Sequence, residues 1–234
     1  MSTSTFLKHS LSSVAIACGA LGTAMPVAAD PVDWASWSGV VTSPTSTGSA
    51  LATFADLGIT ASYTGELQSF VPGYPSYAPI PTFSGGTVSN RPASADGIVQ
   101  IFDGANAGTH TITFSQAVLN PVLAIWSLGQ PGLLAQFVFG QSFTIQSGGP
   151  NAEYGGTAIT AVGNTVSGNE GNGVIQFNGS LTSITWTNPL FENWYGFTVG
   201  APVVAAIPEP ETYALLIAGL ALLGARARRR RNAG

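Results

Sequence analysis

The chain has one cysteine, Cys18, in 234 residues. That scarcity leaves no disulfide framework, no thiolate metal centre and no cysteine nucleophile for the region beyond it. Positive charge is almost as scarce. Lys8, Arg226, Arg228, Arg229, Arg230 and Arg231 lie near the two ends, so Arg91 is the only base between residues 30 and 202. Facing it are Asp30, Asp33, Asp56, Glu66, Asp96, Asp103, Glu153, Glu170 and Glu192. One base against nine acids gives this body a formal charge of about −8 at neutral pH. Nucleic acid is therefore not an expected partner, because neutralising phosphates needs clustered Lys or Arg. Divalent cations and neutral sugars fit the charge better. The body also lacks a convincing amphipathic helix, and its fold must be sought in another period.

That period is two. Ile112 and Phe114 alternate with Thr111, Thr113 and Ser115; Phe143 and Ile145 alternate with Ser142, Thr144 and Gln146. Ile184 and Trp186 alternate with Ser183, Thr185 and Thr187, and Tyr195, Phe197 and Val199 with Gly196 and Thr198. Each run makes a strand with one apolar and one polar face. Ile98 to Phe102 and Val122 to Trp126 are apolar throughout and read as central strands. Glycine, proline and asparagine interrupt at short intervals: Asp103-Gly104, Gly129-Gln130-Pro131-Gly132, Gly148-Gly149-Pro150, Asn178-Gly179 and Asn188-Pro189. Many short strands with such punctuation predict an all-β domain over 30–202, an antiparallel jelly-roll-like sandwich. Asn178-Gly179 between two apolar runs predicts a tight hairpin. The Pro-, Ser-, Gly- and Tyr-rich stretch from Phe70 to Pro92 reads as a long loop or irregular edge.

The ends carry a different message. Lys8, the apolar run Leu11 to Leu21 and the small residues Val27-Ala28-Ala29 have the layout of a secretory signal peptide over 1–29, cleaved after Ala29. A lipoprotein reading through Cys18 is weaker, because Ala15 is a poor residue three positions before the cysteine. At the other end, 203–234, a linker leads to Pro208-Glu209-Pro210, then an apolar segment 213–224, then a basic tail 225–234. As a helix, Tyr213 to Gly224 would span about 18 Å, short of the roughly 30 Å of a bilayer interior. Arg226 and Arg228 to Arg231 can snorkel to the interface, which lengthens its effective reach. Basic residues also favour the cytoplasmic side, orienting the tail inward and the body outward. Such a segment suits a temporary hold in the membrane.

Pro208-Glu209-Pro210, the run Glu211-Thr212-Tyr213-Ala214-Leu215-Leu216-Ile217-Ala218-Gly219-Leu220 and the terminal arginines closely resemble the PEP-CTERM sorting signal of Gram-negative bacteria. The resemblance covers about the last tenth of the chain. It implies processing near Pro208, Glu209 and Pro210 by an exosortase, a membrane-embedded cysteine transpeptidase. It also implies cells that make exopolysaccharide, biofilm or flocs. The expectation is an exported envelope or matrix protein without intrinsic catalysis, held by its precursor tail in the inner membrane and released to the surface or beyond. A polysaccharide-binding module is the alternative, and an extracellular hydrolase the third reading.

Within the body, four features carry chemistry. His110, the only histidine there, is the one base a Ser-His-Asp triad could use, but no nucleophile elbow accompanies it; a strand histidine with satisfied hydrogen bonds is expected. Glu153, Glu170 and Glu192 are the carboxylates from which a glycosidase pair would be drawn. In Gly168-Asn169-Glu170-Gly171-Asn172-Gly173, the oxygens of Asn169, Glu170 and Asn172 could ligate calcium, although the spacing fits no EF-hand and a glycine-rich turn explains it more cheaply. Among the aromatics, Trp126 and Trp186 belong in strands and read as core. Trp194, placed in a turn from Pro189 to Tyr195, is the ring expected to stack on sugar.

Overall fold

The computed structural model describes residues 29, 31–73, 77–103, 108–190, 192–203 and 220. The expected signal helix, the processing motif at 208–210, the apolar segment except Leu220, and the basic tail lie outside these residues. Among those described, no helix is long and apolar enough to cross a membrane.

Sixteen strands are formed among the described residues: β1 (Val32–Trp34), β2 (Ser36–Val41), β3 (Ser43–Phe54), β4 (Ile59–Leu67), β5 (Ser69–Val71), β6 (Ile98–Asp103), β7 (Thr109–Leu119), β8 (Val122–Leu128), β9 (Ala135–Phe139), β10 (Phe143–Gly148), β11 (Thr157–Ala158), β12 (Thr160–Val162), β13 (Thr165–Gly168), β14 (Gly171–Phe177), β15 (Ser180–Thr187) and β16 (Glu192–Pro202). One sheet runs β10-β14-β8-β16-β6-β5, with β1 added on β16 and β11 on β14. The other runs β12-β13-β9-β15-β7-β4-β3-β2. Pairing is antiparallel except for the two-residue β11–β14 contact. The domain is thus an all-β sandwich of two sheets.

The alternation seen in the sequence decides which side chains meet between them. Tyr63, Ile112, Phe137, Ile184 and Trp186 of one sheet face Leu123, Ile125, Ile175, Tyr195 and Phe197 of the other, all buried. Trp186 is the hub, with Phe197 at 5.1 Å edge-on and Phe137 and Phe139 each at 5.9 Å. Fully burying each such ring contributes on the order of 2–3 kcal/mol, and edge-to-face contacts add up to about 1 kcal/mol each.

A second, smaller core lies on the outer face of the β8-containing sheet. Val122, Ala124 and Trp126 of β8, Val174 of β14 and Ile98 of β6 pack there against Tyr77, Phe83 and Val88. The stretch expected as a loop is therefore a cover. Its pins are polar: Thr82 Oγ1 donates to Pro150 O at 2.8 Å, Thr87 Oγ1 to Gln146 Oε1 at 3.0 Å, and Tyr77 OH to Gly97 O at 3.1 Å. Arg91 also joins, donating to Tyr77 O at 2.7 Å. With both faces covered, β8 and most of β16 are buried along their length, including Gly196 and Thr198. The half-exposed face expected for β16 does not occur.

One turn departs from the sequence reading. Asn178-Gly179 does not close a hairpin, because β14 and β15 belong to different sheets. The turn carries the chain across the sandwich. Beside it, Asn120 carries the chain across in the opposite direction, from β7 to β8. The two crossings bind each other: Asn120 N donates to Gly179 O at 2.8 Å, and Gly179 N to Asn120 Oδ1 at 2.8 Å. Both residues have positive φ, 49° and 91°. An Asn-Gly pair supplies such φ wherever a chain must reverse, with or without a ladder behind it.

Candidate functional site

The site is built on a β-bulge. Leu128 pairs with Gly171 and Ile125 with Gly173, so Trp126 and Ser127 of β8 oppose Asn172 alone. A bulge interrupts alternation and re-aims the side chains beside it. Trp126 therefore points to the outer core and Leu128 to the inner one, and Ser127 between them takes a φ of 56°. Glu170, just ahead of β14, has the same φ of 56°. Left-handed backbone in a residue with a Cβ costs about 1 kcal/mol or more, and such strain persists only where neighbours hold it.

The neighbours here are hydrogen bonds. Ser127 N donates to Asn172 Oδ1 at 2.9 Å and Ser127 Oγ to Glu170 Oε2 at 2.8 Å. Tyr154 OH donates to Asn172 Oδ1 at 2.6 Å, and Asn172 Nδ2 to Glu170 O at 3.0 Å. Asn172 is completely buried and holds both strained residues in place. The tyrosine ring, pinned by its hydroxyl, stands edge-on to Trp126 at 4.9 Å, and Trp126 also packs on Trp194 at 4.2 Å.

In front of this cluster opens a cleft of about 530 Å³, walled by Tyr154, Glu170, Asn169, Thr157, Pro131 and Gly132. Its volume is that of small-molecule sites, which run roughly 300–1,000 Å³. The glycines around it serve close approach. A Cβ on Gly168 would sit 2.4 Å from Leu128 O, and one on Gly156 2.2 Å from Glu170 O. Backbone crowding between β8, β13 and β14 thus explains the glycine-rich segment.

Electrostatically the cleft is acidic. Burial raises Glu192 above the usual carboxylate range and the charge of Glu170 raises it further, while backbone N–H groups of Trp194, Asn193 and Gly129 pull the other way. Glu192 Oε1 accepts from Asn193 N at 2.9 Å and Trp194 N at 3.3 Å; its Oε2 is buried without a hydrogen bond. Burial likewise raises the Tyr154 hydroxyl, against the hydrogen bond to Ser127.

The expected site residues fall out unevenly. Asn169, Glu170 and Asn172 are together, but the Asn172 oxygen already accepts two bonds inside the protein. Among the described residues, no group of three or more His, Cys, Asp or Glu gathers as for a metal. Glu170 and Glu192 are near enough to interact; Glu153 is exposed on the turn that bears Tyr154. Trp194 opens β16 instead of lying in a turn, and it is half-buried against Trp126. Tyr154, 37% exposed, is the ring at the cleft; the sequence reading counts it in the aromatic set but favours Trp194 for exposure. Its position beside Asn151-Ala152-Glu153 and Gly155-Gly156, in a turn between β10 and β11, was the available signal.

His110 sits elsewhere, between the sheets. Tyr63 OH gives its proton to Glu66 O at 2.5 Å, so His110 Nδ1, 2.7 Å away, must be the donor to that hydroxyl. Asn188 Nδ2 then donates to His110 Nε2 at 3.1 Å and, with its second proton, to Tyr195 OH at 2.7 Å. The ring stacks on Trp186 at 5.1 Å. Both nitrogens are used by a neutral imidazole, and burial lowers its pKa to about 4.

Neither a curated protein nor a solved structure matches the chain. Residues 206–231 match the family model of the PEP-CTERM protein-sorting motif. That motif supports export, an exosortase as processing partner, and sorting to the cell surface. The chain is therefore a protein with a C-terminal PEP-CTERM sorting motif.

Proposed function

We propose that the chain is a non-catalytic envelope or matrix protein: a secreted, jelly-roll-like cargo domain whose tail is a disposable sorting device. In this reading the signal peptide 1–29 is removed and the precursor pauses in the inner membrane on its apolar segment 213–224. Arg226 and Arg228 to Arg231 stay on the cytoplasmic side. The exosortase then acts near Pro208-Glu209-Pro210, and the body 30–202 leaves for the surface. The observation that carries this reading is the motif at 206–231. The jelly-roll term draws on the ribbon of β7–β8 with β15–β14, which folds over both sheets through the paired crossings at Asn120 and Gly179. The non-catalytic term draws on His110, the one histidine of the body, whose two nitrogens are committed inside the core.

The test is made in the native cells. Converting Pro208, Glu209 and Pro210 to alanine, with the apolar run intact, should abolish surface delivery and leave a precursor of higher mass. Mass spectrometry of the recovered protein reads both mature ends. Normal export and trimming of the triple mutant would refute the sorting role of the motif.

A further inference from the structure

We infer that the cleft between Tyr154 and Glu170 is a binding subsite for an uncharged sugar unit of a polysaccharide chain. Such a subsite would serve the body however the tail is processed.

The cleft offers two complementary features. Tyr154 presents a ring held at a fixed angle by its hydroxyl on Asn172 and its edge contact with Trp126. A pyranose has a face of C–H groups that packs on such a ring, and a rim of hydroxyls that needs acceptors. Glu170 supplies the acceptor. Its Oε2 accepts from Ser127 Oγ, which orients the carboxylate of a residue that lines the cleft. Asn169 adds a side-chain amide at the wall, and its own carbonyl is fixed by Thr157 Oγ1 at 3.0 Å.

The geometry is preorganised. Bulge, left-handed Ser127 and left-handed Glu170 are set by buried Asn172 before any ligand arrives, so little ordering remains to oppose binding.

Charge selects the ligand class. Glu170 lines the cleft, Glu153 acts by its charge on Tyr154 and buried Glu192 lies close enough to feel Glu170, while the single body arginine is engaged at Tyr77 O. Anionic sugars and phosphates are repelled. A quaternary ammonium cage would need several rings around an open space, but Trp126 is buried and fills the gap between Tyr154 and Trp194. One open ring beside a carboxylate suits a neutral hexose.

The experiment is affinity electrophoresis of the full-length chain, held in mild detergent, through gels containing dextran, hydroxyethylcellulose, galactomannan, alginate or chitosan. Retardation by at least one of the three neutral polymers is expected, insensitive to 0.5 M salt. Tyr154→Ala should weaken it at least tenfold and Glu170→Gln at least threefold, while Val162→Ser, at an exposed position of edge strand β12 outside the cleft lining, leaves it unchanged. Thermal unfolding of each variant separates lost binding from lost folding, and if Tyr154→Ala unfolds, Glu170→Gln decides. No retardation in any neutral gel would overturn the inference. So would retardation that both variants retain, or binding to chitosan alone that salt abolishes, which would mark a cation site.

Discussion

The molecule has two polar clusters set into β-strands, and they solve the same problem in opposite ways. Around His110, Tyr63, Asn188 and Tyr195 share out their protons in one consistent chain between the sheets, and the imidazole stays neutral. Each cluster leaves buried polar atoms without a hydrogen bond, Asn188 Oδ1 and Trp186 Nε1 in the first and Glu192 Oε2 beside the second, but around Asn172 two residues hold left-handed backbone and a cleft opens in front. In the first cluster both nitrogens of the buried imidazole have partners, which is what burying a histidine requires. The second adds left-handed backbone at Ser127 and Glu170 and a carboxylate at the cleft wall. A histidine looks more like chemistry in a sequence than an asparagine does, yet here the asparagine organises the open site.

The contrast can be broken from the inner side first. Trp186→Ala removes the hub of the inner core and should cost about 3–5 kcal/mol, read by denaturant unfolding. The loss should exceed that of any single change at the cleft; a smaller one would mean that the two regions are not so different. The next largest effect is pH-dependent. The folded His110 pKa of about 4 lies below the ordinary value of 6.5. Between those values the unfolded chain binds a proton that the native state refuses. The contribution is present in full above about pH 6.5 and is lost progressively as pH falls to 4. The size is roughly 3 kcal/mol by linkage. Glu192, raised by burial, gives a slope of the opposite sign, so the difference between wild type and His110→Gln isolates the histidine. An imidazole NMR signal titrating near 6.5 would contradict the neutral, sealed ring.

Smaller effects sharpen the comparison. Asn188→Ala leaves His110 Nε2 buried without a donor and should cost about 1–3 kcal/mol. Tyr154→Phe removes only one of two donors to Asn172 and should cost about 1 kcal/mol in thermal unfolding. If Tyr154→Phe costs more than Asn188→Ala, the cleft tyrosine is a structural residue first.

Much of this was legible in the residues alone. Alternation at Ile112–Phe114 and Ile184–Trp186 defines core-facing positions because the pleat has period two. Continuous apolarity at Val122–Trp126 marks a strand covered on both faces. The address at the tail can be read because a sorting motif is recognised as linear sequence. Local pattern failed where partners are distant. Asn178-Gly179 has the chemistry of a reversal, but whether it closes a hairpin or crosses the sandwich depends on which sheet accepts each flank. Phe70 to Pro92 has loop composition, yet Tyr77, Phe83 and Val88 are drawn onto an apolar sheet face no local pattern announces. Tyr154 and Glu170 meet because a bulge in β8 turns Ser127 toward them.

By itself, then, the sequence determined the class of fold, the acidity of the body and the sorting motif of the tail, since each rests on composition or contiguous pattern. Only the tertiary structure decided which acids stand together, which aromatic ring reaches solvent and whether the histidine is reactive or sealed. Those depend on strand order and register, where a shift of one residue exchanges inside for outside.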